Sequence, residues 1–386
     1  MSFNQLHTEF EKRNTDLFLL QQKPGFSKYI LVRSLDKQHL LKLIARRTLP
    51  LPNKPKIDDY YQAVYDSTIS IQDLINFIRS EYPAVKSIRQ DQEQYLPTIL
   101  TGFTNVKCGV RNDNLNDLVS GLVRDKTIQS KQELDTKIHY LINNSVQDYI
   151  YWQYYNQASS DLLEHIFNDH PNVIPTLRKI KYVDFLIELN GEIVPFDLKV
   201  THLSEEYYNL LKSGLTSQAN GDDDYVVGAN TTEIQEIKEF YKSVKNKYSL
   251  PNYGQFTKLD LINELKKYAS SDPSISRFLT NITLSRSQLV QETERNLKKA
   301  CWWNYKYQGE RLFKNNNRFY IFLAYKDSYE DPRPLKGNLT DIKLKVDNLI
   351  NNLTSQNLMT IKYKYQKDPT FNGPYKVNAL SVIVIK

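Results

Sequence analysis

Two short apolar runs joined by Asn-Gly carry the residues of this 386-residue chain best placed to do chemistry. The first is Tyr182-Val183-Asp184-Phe185-Leu186-Ile187-Glu188-Leu189; the second is Ile193-Val194-Pro195-Phe196-Asp197-Leu198-Lys199-Val200. Both have the β-branched, aromatic and aliphatic content of strands. Asn190-Gly191 between them predicts a tight hairpin, because a type I′ turn needs φ > 0 at both central positions. Counting outward from that turn sets Glu188 against Ile193, Leu186 against Pro195, Asp184 against Asp197 and Tyr182 against Lys199. Strand side chains alternate, so Asp184, Asp197 and Lys199 share one face. The other face then carries Val183, Phe185, Ile187, Val194, Phe196, Leu198 and Val200, an apolar set fit for a core.

Like charges facing each other on neighbouring strands are destabilising. A divalent cation between Asp184 and Asp197 removes the conflict, and Lys199 helps. Magnesium suits the arrangement, since it takes one or two carboxylates, keeps several waters and adds phosphate oxygens. Such a cation polarises a phosphoryl oxygen and lowers the pKa of a bound water. Lys199 would hold that water or stabilise charge in the transition state. The expected chemistry is phosphodiester hydrolysis. An acid-x-Lys triplet alone says little: Asp135-Thr-Lys137, Glu236-Ile-Lys238, Glu264-Leu-Lys266 and Asp341-Ile-Lys343 have it too. Those four lie in helical patterns, where residues i and i+2 do not face each other.

The elements expected to hold this hairpin follow from hydrophobic periodicity. Residues 1–155 read as a mostly helical region for DNA grip, specificity or dimer contacts. Ile71 to Arg79 there reads as a packing helix rather than half of a helix-turn-helix. A Tyr-rich helix is expected from about Tyr149 to Phe167. After the hairpin come helices at Thr232–Lys247, Leu259–Ala269 and Ser287–Tyr305, and an acidic turn at Asp222-Asp223-Asp224. A strand at Arg318–Tyr325, a helix at Leu339–Leu353 and strands at Thr360–Tyr365 and Ala379–Ile385 complete the pattern. The fold class is α/β, of the α+β type with a mixed sheet. Residues 156–386 form its catalytic domain, with a helical insert at about 203–285.

The motif residues resemble the PD-(D/E)xK nuclease superfamily, in which an Asp on one strand precedes an acid-x-Lys on the next. Tyr182-Val183-Asp184 is the first element, lacking the proline that often precedes this Asp, and Phe196-Asp197-Leu198-Lys199 is the second. The resemblance implies a restriction-endonuclease-like core and a metal held by Asp184, Asp197, the Leu198 backbone carbonyl and Glu164. Mg2+ is the implied ion, with Mn2+ able to substitute. The run from Trp303 to Phe313 and the strand after it are similar to an element of some type II restriction endonucleases. That similarity puts Gln308, Arg311 and Arg318 beside the active centre or the DNA backbone. The matching motifs cover roughly residues 160–325.

Composition fits a globular protein: 40% hydrophobic, 25% charged and 12% aromatic. No apolar run reaches the roughly 18–20 residues of a membrane span. The first residues lack a signal-peptide layout. Cys108 and Cys301 cannot build a disulfide framework, so a reducing cytoplasm is expected. The net charge of +7 is mild, but Arg286–Lys326 holds nine basic and three acidic residues. That segment, with Lys298 and Lys299, is the expected phosphate contact. Cys301-Trp302-Trp303 reads as a buried stripe rather than a base-stacking platform, and His202 as a strand-exit residue. Taken with these readings, the resemblance implies a magnesium-dependent, sequence-specific DNA endonuclease of the type II restriction class, cutting double-stranded DNA as a homodimer. The alternatives are a structure-specific or nonspecific nuclease, and a non-catalytic nucleic-acid-binding module.

Overall fold

A computed structural model describes residues 1–12, 15–103, 112–212, 216–217, 225–226, 232–254, 256–328 and 331–386. Asp222–Asp224 and Cys108 lie outside the described residues. The strands are β1 (Ile174–Ile180), β2 (Val183–Leu189), β3 (Glu192–His202), β4 (Thr216–Ser217), β5 (Tyr225–Val226), β6 (Arg318–Ala324), β7 (Met359–Tyr365) and β8 (Gly373–Ile385). Six of them form one mixed sheet in the order β1-β2-β3-β6-β8-β7, and β4 pairs with β5 alone. β1–β2–β3 is an antiparallel meander, β3, β6 and β8 run parallel, and β7 returns antiparallel to β8. The class is thus mixed α/β, as expected.

The β2–β3 hairpin has the register counted from Asn-Gly: Leu189 pairs with Glu192, Glu188 with Ile193, Leu186 with Pro195 and Phe185 with Phe196. Asn190 (φ 52°) and Gly191 (φ 79°) both take the left-handed conformation that the turn demands. A Cβ added at Gly191 would meet no atom within 4 Å, so glycine is there for its backbone, not for room.

Two cores sandwich this hairpin. Phe185, Ile187, Val194 and Phe196 pack with Leu163 and Phe167 of the Gln147–Asn168 helix and with Ile342 and Val346 of the Leu339–Asn351 helix. Leu186 and Ile193 point the other way, into a core with the N-terminal helices Phe3–Glu11, Phe26–Arg33, Ile57–Asp66 and Ile71–Glu93. Val183, directly after left-handed Tyr182 (φ 65°), joins this second core rather than the Phe185 set. Ser27 ties the layers together: its Oγ donates to Glu192 Oε2 (2.9 Å) and accepts from the Ile193 amide (3.1 Å). Ile71–Glu93 packs directly on β1.

The expected boundary at 155 falls inside the Gln147–Asn168 helix. Helices Glu205–Lys212, Glu233–Tyr248 and Lys258–Lys266 occupy the expected insert between β3 and β6, the last two sharing a small core around Ile237, Tyr241 and Leu261. The expected Ser287–Tyr305 helix is two, Pro273–Arg295 and Leu297–Lys306, broken at Asn296 (φ −142°). β1 had no sequence signal, since Pro175 and Arg178-Lys179 interrupt its apolar alternation. Among the described residues no helix is long and apolar enough to cross a membrane.

Candidate active site

β3 changes partner at Asp197. Its pairing with β2 runs to Phe196, and its parallel pairing with β6 starts at Asp197 opposite Arg318, where the Asp197 amide donates to the Asn317 carbonyl (3.0 Å). β2 and β3 diverge there. The Leu198 amide donates to Asp184 Oδ2 at 2.6 Å instead of to a strand carbonyl. That charge-assisted bond pins the first aspartate beside the second.

Lys199 therefore faces Tyr320 of β6 and not Tyr182, which sits in the Lys181-Tyr182 turn between β1 and β2. The count from Asn-Gly assumed that the hairpin continues; the switch to β6 ends it. Asp197 and Lys199 still share a face, two residues apart on one strand.

The two aspartates have different surroundings. Burial first, and then the Asp197 carboxylate, push the Asp184 carboxyl up to about 7. Asp197 is instead held by Arg318, whose Nε donates to its Oδ2 at 3.1 Å. Arg318 is itself buried, donating from Nη1 to Gln308 Oε1 (2.9 Å) and lying over the Tyr305 ring at 5.1 Å. Burial, and next the Arg318 guanidinium, lower the Lys199 pKa, with Asp197 opposing them. Lys199 makes no hydrogen bond or ion pair among the described residues.

Glu164, on the Gln147–Asn168 helix, feels both burial, which raises its pKa, and the opposing charge of Lys179. It adds to the negative field on Asp184. Among the described residues, however, no group of three or more His, Cys, Asp or Glu stands close enough to hold a metal. Glu164 is thus not gathered with the two aspartates into a three-carboxylate cluster. The donors nearest to a metal pair are Asp184 and Asp197, with the Leu198 carbonyl between Asp197 and Lys199 in the chain. Two carboxylates and a carbonyl fit magnesium, which keeps waters in its remaining positions.

The expected nucleic-acid contacts divide. Gln308 and Arg318 are buried beneath the aspartates, so they support Asp197 rather than form an outer surface. Lys298 and Lys299 are half-buried on the Leu297–Lys306 helix, Lys299 pairing with Glu292 at 3.0 Å. Arg311 lies in the short Glu310–Leu312 helix; its side chain is outside the described part. Arg286 and Lys314 are also buried, so the basic Arg286–Lys326 stretch is no continuous surface patch.

Several supports carried no sequence signal. Asn168 Nδ2 donates to the Glu164 carbonyl (3.0 Å) and to the Asp184 carbonyl (3.4 Å), stapling the helix to β2 at the site. Buried Lys336 donates to the Asn156 carbonyl, Asn156 Oδ1 and Ser160 Oγ; burial and then Lys199 push it down to about 8. Lys336 thus adds positive field to the Lys199 side. Asn317 donates to Pro195 O (3.3 Å) and Gln21 Oε1 (3.0 Å), and accepts from the Asn378 amide.

A cleft of about 260 Å³ opens on the Lys199 side. Its floor is Lys199 and Thr201 of β3 with Arg318 and Tyr320 of β6. No family model, curated protein sequence or solved structure matches this chain.

Proposed function

We propose that this chain is a metal-dependent nuclease of the PD-(D/E)xK type with a restriction-endonuclease-like core, acting at Asp184, Asp197 and Lys199. The observation that carries the reading is the strand switch at Asp197. It sets Asp197 and Lys199 on one face of β3 with Asp184 bonded to the Leu198 amide between them, and half-buried Lys199, which has no hydrogen-bond or ion-pair partner among the described residues, lines the cleft. Burial and then the Asp197 carboxylate push the Asp184 carboxyl up to about 7, and a bound cation would offset both. Asp184, Asp197 and the Leu198 carbonyl would hold Mg2+, or Mn2+ in its place, with Glu164 acting through its field. When bound, the cation supplies charge neutralisation and Lewis-acid polarisation of a phosphoryl oxygen.

The protein's own groups do the rest. Arg318 fixes the Asp197 carboxylate through Oδ2. The Leu198 amide fixes Asp184. Lys199 Nζ, partly desolvated and without a partner among the described residues, is left to hold the attacking water and to stabilise the charge that grows on the phosphoryl oxygens. Pre-set donors of this kind cost no reorganisation during the reaction.

The reading extends to a sequence-specific endonuclease of the type II restriction class, acting on double-stranded DNA as a homodimer, since two-fold sites mirror two-fold proteins. Plasmid DNA incubated with magnesium is the test. Discrete bands are expected; a smear would point to a nonspecific or structure-specific nuclease. Lys199→Met should lower cleavage by about 10²–10³-fold while leaving DNA affinity nearly intact. Absence of magnesium- or manganese-dependent cleavage of any DNA or RNA would sink the reading.

A further inference from the structure

The cleft beside Lys199 has a wall that phosphate chemistry does not use. Trp303 and Asn304 from the end of the Leu297–Lys306 helix, and Tyr307 and Gly309 after it, form that wall, with Leu312 at its rim. The stripe expected to be buried is split: Trp302 is 1% exposed and packs in the core, whereas Trp303 is half-buried and lines the cleft. Trp303 and Tyr307 lie four residues apart, with ring centroids 4.0 Å apart and planes 39° apart. Tyr307 is 37% exposed. Lys367 Nζ bonds to the Tyr307 carbonyl (3.0 Å) and stands 5.5 Å from its ring centroid. The cleft thus joins a lysine and an arginine on its floor to aromatic surface on its wall, with a further cation beside it.

We propose that this cleft is a nucleoside subsite, in which one unstacked base lies against Trp303 and Tyr307 while its phosphate lies at Lys199. The proposal rests on the nuclease reading and names the form in which substrate meets the site. Every base has a π-face, and aromatic side chains bind it with little regard to sequence. Inside a duplex that face is covered by neighbouring base pairs, so the occupant is a single-stranded nucleotide or one extruded from a helix. The volume agrees. About 260 Å³ lies below the roughly 300–1,000 Å³ of drug-sized ligand sites, which is room for one nucleoside and not for stacked pairs.

Gly309 provides a probe that leaves the buried contacts alone. Its backbone (φ −74°, ψ 156°) accepts any side chain, and an added Cβ would meet nothing within 4 Å. Gly309→Phe should fill the cleft without unfolding the chain.

The experiment measures binding of a fluorescein-labelled single-stranded oligodeoxythymidine of about 12 nucleotides to the full chain, with calcium replacing magnesium. Cleavage of the same oligonucleotide in magnesium is followed alongside. Trp303→Ala and Gly309→Phe should each weaken binding by about 5- to 150-fold, and Trp303→Phe by less than about threefold. Melting temperature separates a folding defect in Trp303→Ala from a lost contact; that of Gly309→Phe should match the wild type. Wild-type binding with equal affinity in Trp303→Ala and Gly309→Phe overturns the subsite and leaves the nuclease reading standing. The expected affinity pattern without cleavage of any substrate supports the subsite and removes the nuclease. No oligonucleotide binding by the wild type overturns the subsite, and plasmid cleavage in magnesium then decides the nuclease reading separately.

Discussion

The β2–β3 hairpin and the Lys314–Arg318 segment meet at Asp197, yet they are held by opposite kinds of interaction. The hairpin buries alternate apolar side chains on both faces and turns through Asn190-Gly191. Beyond its backbone ladder, its stability is spread over many apolar contacts, which are not directional. Lys314, Asn315, Asn316, Asn317 and Arg318 are five consecutive polar residues, all buried. Each survives burial through specific bonds: Lys314 to the Lys12 carbonyl, Asn315 to the Thr15 carbonyl, Asn316 to the Tyr182 carbonyl, Asn317 to Pro195 and Arg318 to Asp197. A buried polar group left without its partner costs far more than a partnered one contributes. The hairpin therefore tolerates change, whereas the polar segment fails when a single partner goes. The lesson for the site is that apolar alternation brings the hairpin to Asp197, while a buried polar segment holds the Asp197 carboxylate in place.

The most severe test of that contrast is Arg318→Met. It strands the Asp197 carboxylate and the Gln308 amide, and should cost about 3–5 kcal/mol, seen as a lower urea midpoint. An unchanged midpoint would mean that the polar segment carries no such weight. Asp184, on the hairpin side, should behave in the opposite way. Its carboxyl is raised to about 7 from an ordinary value near 3.8. The folded chain thus binds that proton more tightly than the unfolded chain does. The associated stability is complete below about pH 4 and is lost as pH climbs through about 7. Asp184→Asn keeps an acceptor for the Leu198 amide and removes the charge. At pH 8 it should raise stability, with an upper bound of ~4 kcal/mol at about 1.4 kcal/mol per pH unit. Magnesium should stabilise the wild type at that pH but not this variant; a thermal shift common to both would argue against a cation at Asp184.

Smaller effects sharpen the comparison. Asn317→Ala removes the partner of the Asn378 amide and of the Pro195 carbonyl, a loss of about 1–3 kcal/mol. Its hydrogen-exchange signature should be faster exchange at Asn378 rather than throughout the hairpin. Gly191→Ala is the mildest: φ of 79° strains an alanine by about 1 kcal/mol, with open space around the new methyl group. A loss of several kcal/mol there would show that the hairpin is less tolerant than its packing implies.

How much of this was legible depends on whether the signal was local. The register was, because a two-residue turn with φ > 0 at both positions constrains every pair back to Phe185–Phe196. The helix carrying Glu164, strands β6 and β7, and the Ala379–Ile385 part of β8 (Gly373–Ile385) were legible from periodicity within their own spans. β1 was not, since Pro175 and its charged residues hide a strand that exists because Ile71–Glu93 covers it. Trp303 was misread with Trp302 because adjacent helix residues point in directions about a third of a turn apart, and only the neighbouring strands show which one is covered.

By itself, then, the sequence determined the hairpin back to Phe185–Phe196 and the common face of Asp197 and Lys199. Both follow from backbone sterics and a period of two. Tertiary structure decided that β3 leaves β2 at Asp197, that Arg318 turns inward to hold it, and that helices cover both faces of what could have been a solvated ribbon. Those outcomes depend on contacts across long stretches of chain, from Asn317 to Pro195 and from Leu186 to the first helices. The shift of Asp184 and of Lys199 follows from them, because burial is a property of the assembled fold and not of any residue's neighbours in sequence.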